Sequence, residues 1–132
     1  MTTEANPNPA RSTIAGHRGD LFDPECPTRA LLDRIGTRWT AMAVKVLADV
    51  HPDDMRFAEL QRRMPGVSHK MLSTTLQSLA GDGLVTRRVE SSVPPKVHYA
   101  LTDLGMSLET PLAALRVWAE THMREIDRAC NR

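Results

Sequence analysis

Between residues 57 and 81 two helical patterns meet across a break short enough to require a tight turn, Met64-Pro65-Gly66-Val67-Ser68. Before it, Phe57, Leu60 and Met64 recur at three- and four-residue spacing and face inward, with Glu59, Arg62 and Arg63 outward. Proline removes a backbone donor and clashes with the turn before it, and glycine supplies the freedom a reversal needs. The first helix, from Phe57 to about Met64, therefore stops there. Ser68 suits an N-cap, because its hydroxyl oxygen can accept from an amide that the next turn leaves unpaired. The second helix runs to Gly81 or Asp82, with Leu72, Leu76 and Leu79, helped by Met71, as its core stripe. Its other face shows His69, Lys70, Ser73, Thr74 and Gln77, all polar and none acidic.

A β-hairpin is expected next. Leu84 to Glu90 and Lys96 to Leu101 both alternate, and Val85 and Val89 match Val97, Tyr99 and Leu101 on one face. Ser91-Ser92-Val93-Pro94-Pro95 makes the tip, where the prolines remove donors that could pair with a foreign strand. Upstream, Pro27 opens a helix that Gly36 ends, with Ala30, Leu31 and Ile35 on its apolar face. A second helix from about Thr40 to Asp49 is apolar nearly all round and should be buried, with Trp39 as a core anchor. His51 to Asp54 reads as a loop. Downstream, Thr102 and Asp103 open a helical region towards Arg128, in which Leu104, Leu108, Leu112, Leu115, Trp118 or Ala119, His122 and Ile126 recur. Pro111 is expected to kink or divide it. Residues 1–24, proline-containing and without periodicity, read as a flexible tail, which leaves residues 25–128 as the folded domain.

Helix, tight turn, helix and hairpin in that order make a winged helix-turn-helix. The expected class is mainly α (α+β), with a two-stranded β wing and terminal helices, residues 102–128 in particular, for dimerisation. A wholly helical region of that length spans ~40 Å, and its apolar stripe exceeds what one small winged domain needs to cover. Charge supports a use for the polar face. The chain of 132 residues has a net charge of +1. Within residues 60–100, however, Arg62, Arg63, Lys70, Arg87, Arg88 and Lys96 face only Asp82 and Glu90, while both flanks are acidic. A basic middle between acidic flanks suits a polyanion met by one segment.

That polyanion is expected to be double-stranded DNA, because a helix fits the major groove and the first residues of a recognition helix reach base edges there. The candidates are Ser68, His69, Lys70, Ser73 and Thr74, with Gln77 one turn on. Lysine can read guanine and glutamine adenine, and hydroxyls serve bases or phosphates. Arg87, Arg88 and Lys96 on the hairpin would lie against the backbone or a minor groove. The competing reading is a winged-helix module that packs on a partner protein and leaves the basic face unused.

Other chemistry has little support. No apolar run reaches the ~18–20 residues of a membrane span, and the N-terminus has no signal-peptide pattern, so a cytoplasmic protein without membrane contact is expected. The five histidines fall at no metal-ligand spacing, and no nucleophile elbow or glycine-rich phosphate loop occurs. Neither an enzyme, a metal site nor a cofactor is expected. Cys26 and Cys130 are too few for a disulfide framework. Cys26 precedes Pro27 at a helix start, where amides and the helix dipole favour a thiolate, although Asp23 and Glu25 oppose this.

Five motifs in order carry a family resemblance: Cys26-Pro27; Gly36-x-x-Trp39-Thr40; Arg56-Phe57-x-Glu59-Leu60; Met71-Leu72-x-x-x-Leu76 followed by Asp82-Gly83-Leu84; and Val93-Pro94-Pro95-x-Val97-x-Tyr99-x-Leu101-Thr102. Together, from Cys26 to about Trp118, they resemble the HxlR family of MarR-like winged-helix transcriptional regulators. The resemblance implies a homodimer on a pseudo-palindromic operator, with terminal helices building the dimer. Recognition helices of such a dimer lie ~34 Å apart, one turn of DNA. It also implies a sensing role for Cys26, since several relatives place a Cys-Pro here that responds to oxidants or electrophiles. The chain departs from the paired-cysteine versions, because its other thiol, Cys130, lies near the C-terminus.

Overall fold

A computed structural model describes residues 21–131. The tail expected over residues 1–24 lies outside that range except for residues 21–24, which form turns. The chain divides into two units, Met1–Arg34 and Ile35–Arg132. In the first, the Cys26 amide donates to the Asp23 carbonyl (3.0 Å), and the Cys26 carbonyl accepts from Ala30 (3.1 Å). Helix α1 (Pro27–Ile35) thus starts at the expected proline. None of its residues is buried. Leu31 and Ile35 are half-covered, but Ala30, expected on the apolar face, is exposed.

The second unit runs α2 (Arg38–Val50), β1 (Met55–Arg56), α3 (Phe57–Arg62), α4 (His69–Gly81), β2 (Val85–Glu90), β3 (Lys96–Leu101) and α5 (Asp103–Cys130). Helix α2 starts two residues earlier than the apolar pattern suggests, because Thr37 caps it, its Oγ1 accepting from the Thr40 amide at 3.1 Å. Leu47 and Val44 of α2, Leu60 of α3, Met64, and Leu72, Leu76 and Leu79 of α4 are the largest fully buried side chains. Each such leucine contributes roughly 1.5–3 kcal/mol by leaving water, so this three-helix cluster is the main apolar support of the turn. Met71 does not join it and stays 45% exposed. At 100° per residue it lies roughly 100° from the centre of the leucine stripe. Trp39 is half-buried at the edge of the cluster rather than its anchor.

The break between α3 and α4 follows the sequence closely. Gly66 takes a φ of +89°, which side chains rarely adopt, and Ser68 Oγ accepts from the Met71 amide at 3.0 Å. The wing differs from expectation in having a third strand. The antiparallel sheet has the order β1-β3-β2, with Met55 opposite Tyr99 and Arg56 opposite His98. Two residues are too few to show alternation, so β1 leaves no periodic trace in the sequence.

Helix α5 also differs, since Pro111 neither ends nor divides it. Proline in a helix interior costs ~3 kcal/mol and frees one carbonyl, here that of Ser107. Pro111 is exposed, so water can satisfy that carbonyl. Glu109 and Arg116 bridge the site, with Oε2 and Nη2 2.7 Å apart, and this hydrogen bond holds the Arg116 guanidinium above its ordinary value. The start of α5 is fixed more firmly. Thr102 Oγ1 accepts from the Gly105 amide at 3.0 Å and donates to the Gly83 carbonyl at 2.8 Å. A Cβ at Gly105 would overlap the Leu84 carbonyl oxygen and lie 2.6 Å from Leu101 Cδ1. Gly105→Ala is therefore expected to destabilise the fold by about 1–3 kcal/mol, the usual cost of overpacking. Urea denaturation followed by circular dichroism checks this, and an unchanged midpoint would show that the junction yields freely.

Candidate nucleic-acid interface

The polar face of α4 lies opposite its leucine stripe. Ser68, His69, Lys70, Thr74 and Gln77 are exposed and Ser73 is half-buried. The Ser68 hydroxyl is already engaged as the cap, which leaves its proton to donate. His69 packs against Phe57, with ring centroids 4.6 Å apart at 46°. That contact holds one edge of the imidazole beside α3, whereas Lys70, Thr74 and Gln77 project without a neighbour of this kind.

Strand register sorts the three hairpin cations. Arg87 lies opposite Tyr99, so the two side chains share the sheet face that carries buried Val85 and Leu101. Arg88 lies opposite His98 on the reverse face. There Asp54 Oδ2 accepts from Arg88 Nε at 3.0 Å and sits 3.0 Å from Nη2. Lys96 pairs in register with Glu90 at the open end of the ladder. A cleft of about 470 Å³ separates the start of α4 from the hairpin, lined by Phe57, His69, Ser73, Arg87, Lys96 and Tyr99 among others. The structure thus brings His69, Ser73, Arg87 and Lys96 together and sets Arg88 apart from them.

The distribution of acids sharpens the contrast. Arg62 is paired with Glu59, Arg63 with Asp49 at 3.6 Å and Arg88 with Asp54. Among the described residues Lys70, Arg87 and Lys96 have no carboxylate partner, so their charge remains available to an anion. Several site features left no signal in the sequence. Arg56 lines the cleft but belongs to the two-residue strand. His98 alternates as an outward residue yet is 7% exposed, its Nδ1 3.5 Å from Asp54 Oδ1 and its Nε2 3.5 Å from Glu90 Oε2. Both ring nitrogens lack a hydrogen-bond partner.

Outside the cleft, α5 exposes Leu104, Leu115 (61%) and Trp118 (53%) within an arc of roughly 60° about its axis. Cys26 is a buried free thiol and Cys130 an exposed one. Among the described residues no helix is long and apolar enough to cross a membrane.

Comparison with known proteins agrees with this geometry. Residues 34–127 match the family described as HxlR-like helix-turn-helix. The HTH-type transcriptional regulator YtfH of Escherichia coli K12 is 39% identical over 108 residues, 82% of this chain and 83% of that protein. The solved structure of transcriptional regulator YtfH from Salmonella typhimurium has a TM-score of 0.78 at 37% identity, covering 87% of this chain and 100% of that one. The redox regulator HypR in its reduced form has a TM-score of 0.67 at 33% identity, covering 77% of this chain and 98% of that one. The matched region holds α3, the Gly66 turn, α4, the hairpin and most of α5, and this chain belongs to the HxlR family of helix-turn-helix, DNA-binding transcriptional regulators.

Proposed function

We propose that two copies of the chain bind an inverted-repeat operator, each laying α4 in a major groove and its hairpin against the neighbouring backbone. The observation that carries this reading is the acid-free outer face of α4 beside Arg87, which has no carboxylate partner among the described residues. Lys70, Thr74 and Gln77 are assigned to base edges; Ser68, His69 and Ser73 are placed to serve bases or phosphates. Arg87 and Lys96 neutralise phosphates and release counterions. Arg88 contributes less, because binding a phosphate would compete with Asp54. The exposed stripe of Leu104, Leu115 and Trp118 supports dimerisation through α5. A compact dimer over a promoter excludes polymerase, so repression in the cytoplasm, without catalysis or a cofactor, is the assigned role.

The signal is assigned to Cys26. It precedes α1 next to Pro27, and the structural relative HypR is named a redox regulator. Burial shields the thiol, so reaction requires local opening of the turn around Asp23–Cys26.

Selection from a random duplex library should enrich an inverted repeat with half-sites one helical turn apart. Binding to that site should fall steeply with salt. Lys70→Ala and Gln77→Ala are expected to relax sequence preference by about 1–3 kcal/mol per base contact. Arg87→Ala should weaken binding to every sequence and lower the salt slope by about one, with a smaller effect for Arg88→Ala. Uniform losses across all four variants would contradict these roles, and no enrichment would favour the protein-interaction module. In sedimentation, Leu115→Glu with Trp118→Glu should convert a dimer to monomer; an unchanged species would exclude α5 as the interface. Diamide should release wild type and Cys130→Ser from DNA but not Cys26→Ser, and equal release of all three would end the sensor assignment.

A further inference from the structure

We propose that Arg38, stacked on Trp39 at the head of α2, binds an operator phosphate beside the groove that α4 enters. This contact presupposes the operator binding proposed above, and it adds a residue that belongs neither to the helix-turn-helix nor to the hairpin.

Contacts at both ends of α2 place its start at the end of the domain that meets DNA. At the first end the Trp39 ring reaches the turn before α4, its Cη2 3.8 Å from where a Cβ on Gly66 would stand. At the far end, His51, the C-cap of α2, meets the Leu101 carbonyl through Nδ1. The Gly83 carbonyl, just past the end of α4, accepts from Thr102 Oγ1. Leu101 and Thr102 are consecutive, so both helices end at the base of the hairpin. Helices α2 and α4 therefore run in the same direction, and they share a core that includes Val44, Leu47, Leu72 and Leu76. The first residues of a recognition helix are the ones that reach bases. Arg38, the first residue of α2, thus lies at the same end as Ser68, His69 and Lys70.

The side chain is held ready for an anion. Arg38 is exposed, and its guanidinium carbon sits 4.6 Å from the centroid of the Trp39 ring. Trp39 is half-buried and packs against the core, so the ring is a fixed platform for an otherwise free side chain. Stacking uses the face of the guanidinium, whereas its five N–H bonds lie in the plane and remain free to donate. Two parallel donors can therefore hold a phosphate while the stack stays in place. The backbone beneath is fixed by Thr37 Oγ1, which accepts from the Thr40 amide at 3.1 Å. Acids are missing here: neither α2 nor α4 has one in its first turn, and Arg38 has no carboxylate partner among the described residues. In this it differs from Arg62, Arg63 and Arg88, which a phosphate would have to take from a carboxylate. Arg38 also lies outside the basic segment 60–100, so counting charge along the chain gives no sign of it. A phosphate held there carries no sequence information; it fixes how α4 sits in the groove.

Salt-titrated binding of the full chain to the enriched duplex and to a random duplex tests the contact. Arg38→Gln should weaken binding to both by the same factor, roughly tenfold at low salt, and lower the salt slope by about one per subunit. Its thermal midpoint should match wild type, because among the described residues no hydrogen bond or ion pair uses this guanidinium. Arg38→Lys should keep the salt slope but recover only part of the affinity, since the charge stays and the planar fork is lost. Trp39→Phe keeps an aromatic platform and should keep the slope, and Arg124→Gln on α5, an equal loss of charge elsewhere, should change nothing. Ethylation of the enriched duplex should reveal one phosphate per half-site whose modification blocks wild type and Arg87→Ala but not Arg38→Gln. If Arg38→Gln keeps the wild-type slope and interference pattern, the contact is overturned and the DNA reading stands. A loss confined to the enriched duplex would place Arg38 on a base edge and overturn the phosphate assignment. A wild type that binds neither duplex would overturn the DNA reading and this contact with it.

Discussion

The arrangement of this molecule depends on how closely α5 approaches the base of the hairpin. One hydroxyl, Thr102 Oγ1, caps α5 through the Gly105 amide and closes the hairpin base through the Gly83 carbonyl. The Thr102 amide donates to Leu84 at 3.0 Å, and the absence of a side chain at Gly105 lets the helix rest on that same carbonyl. On the other side, His51 Nδ1 lies 3.1 Å from the Leu101 carbonyl, which can only accept, so this nitrogen carries the proton. Nε2 then faces Asp103 at 3.4 Å. The Thr102 hydroxyl and backbone atoms thus join α5 to the wing. A helix held this way cannot shift without carrying the hairpin with it. In the dimer proposed through α5, a signal that altered the helix packing would be carried to the hairpin proposed to touch DNA.

The proposed reading surface is defined by where acids are missing more than by where bases are dense. Arg62, Arg63 and Arg88 have carboxylates near them, and exposed pairs of this kind contribute little stability, about 0–1 kcal/mol each. Their larger effect is on the field. Glu59, Asp49 and Asp54 neutralise Arg62, Arg63 and Arg88, whereas Lys70, Arg87, Lys96 and the cleft-lining Arg56 are among those left without a carboxylate partner among the described residues. A phosphate approaching the α4 face therefore meets no carboxylate that it must displace. Desolvation is smaller there than at Arg88, where a phosphate would have to break a pair before making one.

Most of the fold was legible in the sequence because its punctuation is local. Gly66 sits where the backbone needs positive φ, Ser68 and Thr102 cap the helices that follow them, and period-two alternation marks β2 and β3. What escaped depends on contacts distant in sequence. Strand β1 is two residues long and exists only because β3 lies beside it. The continuity of α5 through Pro111 depends on exposure and on the Glu109–Arg116 pair, neither of which a proline signal reveals. Met71 has the chemistry of a core residue but the wrong angle on the helix. At the site, the α4 face was legible as a list of polar positions. The separation of Arg87 from Arg88 required the register, and the burial of His98 between two carboxylates required the tertiary fold.

The hairpin explains why a cleft exists at all. Apolar alternation continues along its inner face after the helices that cover it have ended, so Val85 is 3% exposed but Val89 is 49% exposed. A sheet that stayed over the core would have closed this gap with side chains. Instead the outer half projects past α4, stiffened by Pro94 and Pro95, and Arg87 and Tyr99 lie where packed core gives way to open space. Arg87 can stay unpaired there because water still reaches it, while Tyr99 is covered enough to hold its ring in place. Removing water from that junction favours whatever brings an anion and an apolar surface together. A deoxyribose-phosphate backbone does both, through its charged phosphate and the carbon face of its sugar.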